Sequence, residues 1–88
     1  VCICTFEITA PSTVAAWTNR KIANYPSGYS NGYGTVVGAG QMDSVDNMVP
    51  VTIYAQPDGI YVNGKAHTID SNRQVGGFVV WLTGHLKG

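Results

Sequence analysis

Charge is what this sequence has least of. Only 11% of its 88 residues are Asp, Glu, Lys or Arg, and the formal net charge is zero; an ordinary globular domain carries about 25%. The five basic residues, Arg20, Lys21, Lys65, Arg73 and Lys87, are scattered apart from the first pair. Tracking a phosphate backbone takes clustered Lys and Arg, so the composition argues against nucleic acid as a partner. Long hydrophobic runs are missing as well. No stretch of about 18 apolar residues is present to cross a membrane as a helix, and no signal-peptide pattern opens the chain. The first residue is Val1, in what reads as mid-strand, so we expect the C-terminal fragment of a longer protein.

Cysteine is scarce, with Cys2 and Cys4 the only two. On a strand, positions i and i+2 share a face, with Cα atoms roughly 6.5–7 Å apart, at or beyond the usual reach of a disulfide. No Cys/His pair follows at zinc-site spacing. The two therefore read as buried free thiols acting as small hydrophobes. Neither a metal nor a cofactor is expected.

What remains is a chain rich in apolar residues (44%), Gly, Ser, Thr, Asn and Tyr. Its surface must be neutral and hydroxyl- and amide-rich, a composition common in extracellular binding modules and virion proteins. At this length it forms one domain, residues 1–88, that buries roughly 60–65% of its unfolded surface, so partner chains would add needed stability.

Strand signals recur along the chain and no helix stands out. "VCICTFEI" (1–8) alternates, with Cys2, Cys4, Phe6 and Ile8 on one face, and Ala10-Pro11-Ser12 breaks it. Residues 13–17 are ambiguous between a helical turn and a loop, and 18–24 read as a weakly alternating strand. Residues 25–34 are a loop rich in Gly, Ser and Asn. Residues 35–42 form a strand weakened by Gly38 and Gly40, and 43–47 a turn. "VTIYAQPDGIYVNG" (51–64) is a hairpin turning at Pro57-Asp58-Gly59. Asn63-Gly64 should turn into a short strand at 65–69, and Asp70-Ser71-Asn72 is another turn. "FVVWLTG" (78–84) is apolar on both faces, which predicts a central strand or one buried against a partner chain. Seven or eight short strands imply an all-β sandwich or barrel.

Catalytic constellations are weak. His67, Asp70 and Ser71 are near in sequence, without the nucleophile-elbow motif, and turn hydrogen bonding explains Asp70 and Ser71. Asp43 and Asp46 share a predicted turn, but the calcium-loop pattern is absent, and the turn is more simply solvated or hydrogen-bonding to a ligand hydroxyl. The aromatics say more. Tyr25, Tyr29 and Tyr33 recur at four-residue spacing in the Gly-rich loop. Tyr combines an apolar ring with a hydroxyl, and so suits the mixed faces of sugars. Trp17 lies beside a break, whereas Trp81 reads as core or subunit interface. His67, with Asp70 and Arg73 in the next turn, is the best hydrogen-bonding candidate. The candidate ligand-binding set is thus Trp17, Tyr29, Tyr33, Asp43, His67, Asp70 and Arg73.

Four stretches in order, "VCICTFEIT", "WTNRKIANYPSGY", "VPVTIYAQPDGIYVNG" and "GGFVVWLTG", resemble the C-terminal head domain of phage tail-fibre and baseplate receptor-binding proteins of siphophages infecting Gram-positive bacteria. Where such heads often continue the Pro-Gly-Tyr segment with Arg-Pro, this chain has Ser30-Asn31. The resemblance implies a jelly-roll-like antiparallel β-sandwich assembled as a homotrimer. It implies a virion protein at the tail tip that binds host cell-wall or surface saccharide, without catalysis or membrane insertion. A monomeric carbohydrate-binding module of a secreted bacterial protein, a ligand-free trimerisation cap and a glycan-cleaving enzyme are the competing readings.

Overall fold

The computed structural model describes residues 2–29, 31, 34–43 and 48–82, residue 48 by its backbone. Among them are six strands and no helix: β1 (Cys2–Thr9), β2 (Arg20–Ala23), β3 (Val36–Asp43), β4 (Met48–Gln56), β5 (Gly59–Asn63) and β6 (Gln74–Trp81). All pair antiparallel in one sheet of order β1-β6-β3-β4-β5-β2, curled into a half-barrel. The all-β expectation is met, by one curled layer of six described strands.

Alternation explains the strands. In β1 the even positions Cys2, Cys4, Phe6 and Ile8 turn inward and the odd positions are exposed. Val49, Val51, Ile53 and Ala55 of β4, Ile60 and Val62 of β5, and Val75, Val79 and Trp81 of β6 complete the concave core. Ile53, Ile69, Val75 and Val79 are the largest fully buried side chains.

Glycine sets the curl. At Gly40 an added Cβ would lie 2.5 Å from the carbonyl oxygen of Gly76; at Gly77 it would lie 2.7 Å from that of Ala39. Side chains of any size there would push β3 and β6 apart. Their absence lets the backbones close up and Ile53 of β4 fold over the gap. The glycines that weaken "TVVGAGQM" as a strand therefore let it lie close against β6.

The last strand begins at Gln74, four residues before the expected 78. It is an interior strand, between β1 and β3, but of its two apolar faces only the inner one is covered: Phe78 and Val80 on the outer face are exposed. The expected strand at 65–69 does not form. Lys65 takes φ +54°, and the His67 amide donates to the Gly64 carbonyl at 2.9 Å, closing a turn. With Ile69 the one large apolar residue in "KAHTI", a strand there has no face to bury, and only an isolated Val14–Ile69 bridge survives. That bridge belongs to two antiparallel loops, 10–17 and 65–73, joined also from Ala10 to Arg73 and from Trp17 to Lys65. Val14 and Ile69 are buried and plug one end of the half-barrel. In the hairpin, Gln56 pairs with Gly59, so Pro57-Asp58 alone forms the tip. The predicted turn at 43–47 falls, after Asp43, outside the described residues.

Candidate binding cleft

The half-barrel leaves a gap between its outer strands, β1 and β2, and two cavities lie along it. One, about 290 Å³, is walled mainly by aliphatic groups: Ile8, Val14, Ile22, Val62, Ile69 and Val75. Arg20 at its edge is engaged with the Ser12 hydroxyl at 2.8 Å. The other, about 360 Å³, lies at the end where β6 finishes, and its walls include Tyr25, Tyr29 and Trp81 with Thr5 and Asn24. Aromatic rings beside hydroxyl and amide groups make this cleft the chemically versatile one.

Local sequence builds its rim. After β2, Pro26-Ser27-Gly28-Tyr29 makes a turn closed by the Tyr29 amide donating to the Pro26 carbonyl at 3.0 Å. Gly28, third in the turn, has φ +86°, as a type II turn requires there. The turn leaves the Tyr29 ring about half exposed at the mouth. Its backbone is held from the core: Trp81 Nε1 donates to the Tyr29 carbonyl at 2.7 Å. Tyr25 packs on Trp81 with ring centroids 5.1 Å apart and planes tilted by 54°, and its hydroxyl donates to the Gln56 carbonyl at 2.5 Å. Further on, buried Asn31 ties the loop to β4, its Nδ2 donating to the Ala55 carbonyl at 2.7 Å and also to the Gly34 carbonyl.

Two titratable groups of the cleft, Cys4 and Tyr25, are held neutral. Burial pushes the Cys4 thiol up. Burial, then the charge of Asp58 and, where it ionises in base, that of Cys4, push the Tyr25 phenol up. Both stay protonated at neutral pH, where a thiolate or phenolate would be needed for nucleophilic or base chemistry. Cys2 and Cys4 are free thiols on the inner face of β1. Among the described residues no group of three or more His, Cys, Asp or Glu is placed to hold a metal ion.

Of the candidate residues, Tyr29 lines this cleft. Tyr33 lies outside the described residues. Trp17, at 70% exposed, sits on the paired loops at the opposite end, its φ of +63° and its amide bond to the Lys65 carbonyl fixing it there. His67 and Asp70 are exposed on the partner loop with half-buried Arg73, whose amide donates to the Asp70 carbonyl at 3.2 Å. Asp43 ends β3 on the outer face, sharing a shallow polar dip with Glu7, Gln41 and Gln74. The six that are described thus divide among separate places. Tyr25 was legible from the tyrosine spacing. Trp81 was legible only as an apolar strand residue, because nothing local to it points to the 25–29 loop.

Compared with protein-family models, curated proteins and solved structures, the chain matches none.

Proposed function

We propose that this chain is a non-enzymatic recognition head that binds saccharide in the Tyr25–Tyr29–Trp81 cleft. One observation carries the reading: an aromatic-walled cleft of about 360 Å³, with the Asn24 amide and the Tyr29 ring at its walls and the Cys4 thiol and Tyr25 phenol held neutral. Sugars present apolar C–H faces ringed by hydroxyls. Tyr29 supplies a face for the first, and its hydroxyl and the Asn24 amide suit the second.

The resemblance to siphophage receptor-binding heads supplies the setting. In this reading the chain sits at a phage tail tip, outside the host cell, and grips neutral cell-wall or surface polysaccharide. Copies gathered as a homotrimer would supply the second layer of a sandwich. They would also turn weak single sites into strong adhesion through avidity.

The test is titration of the isotope-labelled chain with cell-wall polysaccharide fragments from candidate Gram-positive hosts. Shifts should concentrate at Tyr25, Tyr29, Trp81 and Asn24. Tyr29→Ala should weaken binding roughly tenfold, the loss of about 1–2 kcal/mol of ring contact. His67→Ala should leave it unchanged. Shifts centred instead on Trp17 and His67 would move the site to the paired loops, and turnover of the polysaccharide would overturn the non-enzymatic reading.

A further inference from the structure

The outer face of the sheet carries large apolar side chains that no described residue covers. Ile3 of β1 is 69% exposed, Val37 of β3 63%, Phe78 of β6 52% and Val80 of β6 42%. Pairing makes them neighbours. Ile3 stands opposite Val80, and Thr5 and Ala39 flank Phe78 on either side. Continuing the Ala39–Phe78 register by one pleat sets Val37 beside Val80. Leu82, 39% exposed, extends the patch past the end of β6.

The arrangement is written three times in the sequence. The outward positions of β1 read Ile3, Thr5, Glu7, Thr9, and those of β3 read Val37, Ala39, Gln41, Asp43. Those of β6 read Gln74, Gly76, Phe78, Val80. Two strands run from apolar to polar and the third from polar to apolar. Because β6 is antiparallel to both neighbours, the three gradients coincide: one end of the face is apolar and the other holds Glu7, Gln41, Asp43 and Gln74.

Scattered exposed hydrophobics are ordinary, but a contiguous patch is not. From their exposures these five side chains present on the order of 500 Å² of apolar surface, near the top of what a soluble monomer shows. Contacts between identical chains are about 65% apolar, so the patch with its polar rim is sized for an interface of roughly 800 Å² per copy, the standard for a stable complex. The chain's formal net charge is zero, so identical copies approach without long-range repulsion. The patch itself contains no ionisable group, while the acidic Glu7 and Asp43 at the far end of the face disfavour an anionic lipid surface.

We propose that the outer face of β1, β6 and β3, centred on Phe78 and Val80, packs against the same face of a second copy of this chain. Two sheets meet face to face, about 10 Å apart as sheets pack, and the apolar ends cover one another. Such a same-face contact is two-fold and closes at two copies, so it departs from the three-fold gathering that the resemblance implies and rests neither on that reading nor on the saccharide cleft.

Sedimentation equilibrium at about 100 μM, without saccharide, tests it. The chain should sediment at twice its mass. Phe78→Asp and, independently, Val80→Lys should reduce it to single chains with unchanged far-UV circular dichroism, because both side chains are exposed. Gln41→Lys, on the polar end of the same face, should leave assembly intact. A two-copy species lost in both patch variants supports the proposal, and a three-copy species overturns it, because a same-face contact closes at two copies. A single-chain wild type at that concentration, or patch variants that assemble like the wild type, overturns it. Failure to bind any polysaccharide, with assembly intact, would remove the cleft reading and leave this one standing.

Discussion

The indole Nε1 of Trp81 donates to the backbone carbonyl of Tyr29 at 2.7 Å, joining residues 52 positions apart. A buried ring at the end of the central strand thereby fixes the loop that carries the exposed ring at the cleft mouth. Removing the donor while keeping an aromatic leaves that carbonyl unpaired. Trp81→Phe should cost about 1–2 kcal/mol for the lost bond, somewhat more with the smaller ring, and lower the urea midpoint accordingly. Saccharide affinity should fall with it, because Tyr29 is then less well held.

Asn31 anchors the same loop from the β4 side. Replacing its amide by a carboxyl puts an acceptor against the Ala55 carbonyl. Asn31→Asp should destabilise the chain by about 2–4 kcal/mol at neutral pH, where the new carboxylate is buried, charged and facing another oxygen. Burial raises the folded-state pKa of that group. The charge penalty is therefore full above the raised folded-state value, shrinks as pH falls through it and acid restores an O–H donor, and is gone below the unfolded value. Thermal unfolding across pH 3–7 should show the gap between variant and wild type narrowing toward the acid end.

Gly77 and Gly28 separate two reasons for a glycine. An added methyl at Gly77 meets Ala39 O and Gly40 Cα at 2.7 and 2.9 Å, both backbone. Gly77→Ala should cost about 3 kcal/mol, the upper end for overpacking, because two central strands must separate. At Gly28 nothing lies within 4 Å of such a methyl and only the φ of +86° resists it. Gly28→Ala should cost about 1–2 kcal/mol. Denaturant unfolding of the two variants should give that order.

At the hairpin tip the Tyr61 hydroxyl donates to Asp58 Oδ2 at 2.6 Å. The bond, opposed in part by slight desolvation, holds the Asp58 carboxyl below the usual carboxylate value, and it pushes the Tyr61 phenol up. The carboxylate's contribution is present above its unfolded pKa and lost as pH falls through the depressed folded one. The phenol's is present below its unfolded pKa and lost as pH rises through the raised one. The Gly59 amide resonance should therefore be flat through the neutral range and shift at both extremes. Tyr61→Phe should move the acid midpoint upward, toward the ordinary value.

The two-residue alternation by itself determined much of this protein. Inward Cys2, Cys4, Phe6 and Ile8, the Pro57-Asp58 hairpin and the apolar β6 are local patterns, and local sterics and face burial suffice to read them. The low charge likewise reflects a surface built from neutral polar groups. Only tertiary structure decided the rest. Gly38, Gly40 and Gly77 look like strand weaknesses until β3 and β6 are laid side by side, where the missing side chains let one sheet curl on itself. "KAHTI" has a turn on its N-terminal side in either reading, but its φ at Lys65 and its lone apolar residue leave it a loop braced on Val14. Trp17, His67 and Tyr29 all read as ligand contacts in the sequence, with His67 the best hydrogen-bonding candidate, because residue type carries chemistry but not position. Which rings share a cleft, and which apolar positions share an outer face, depends on strand order and register. Those are set by pairings between residues dozens of positions apart, which no local pattern encodes.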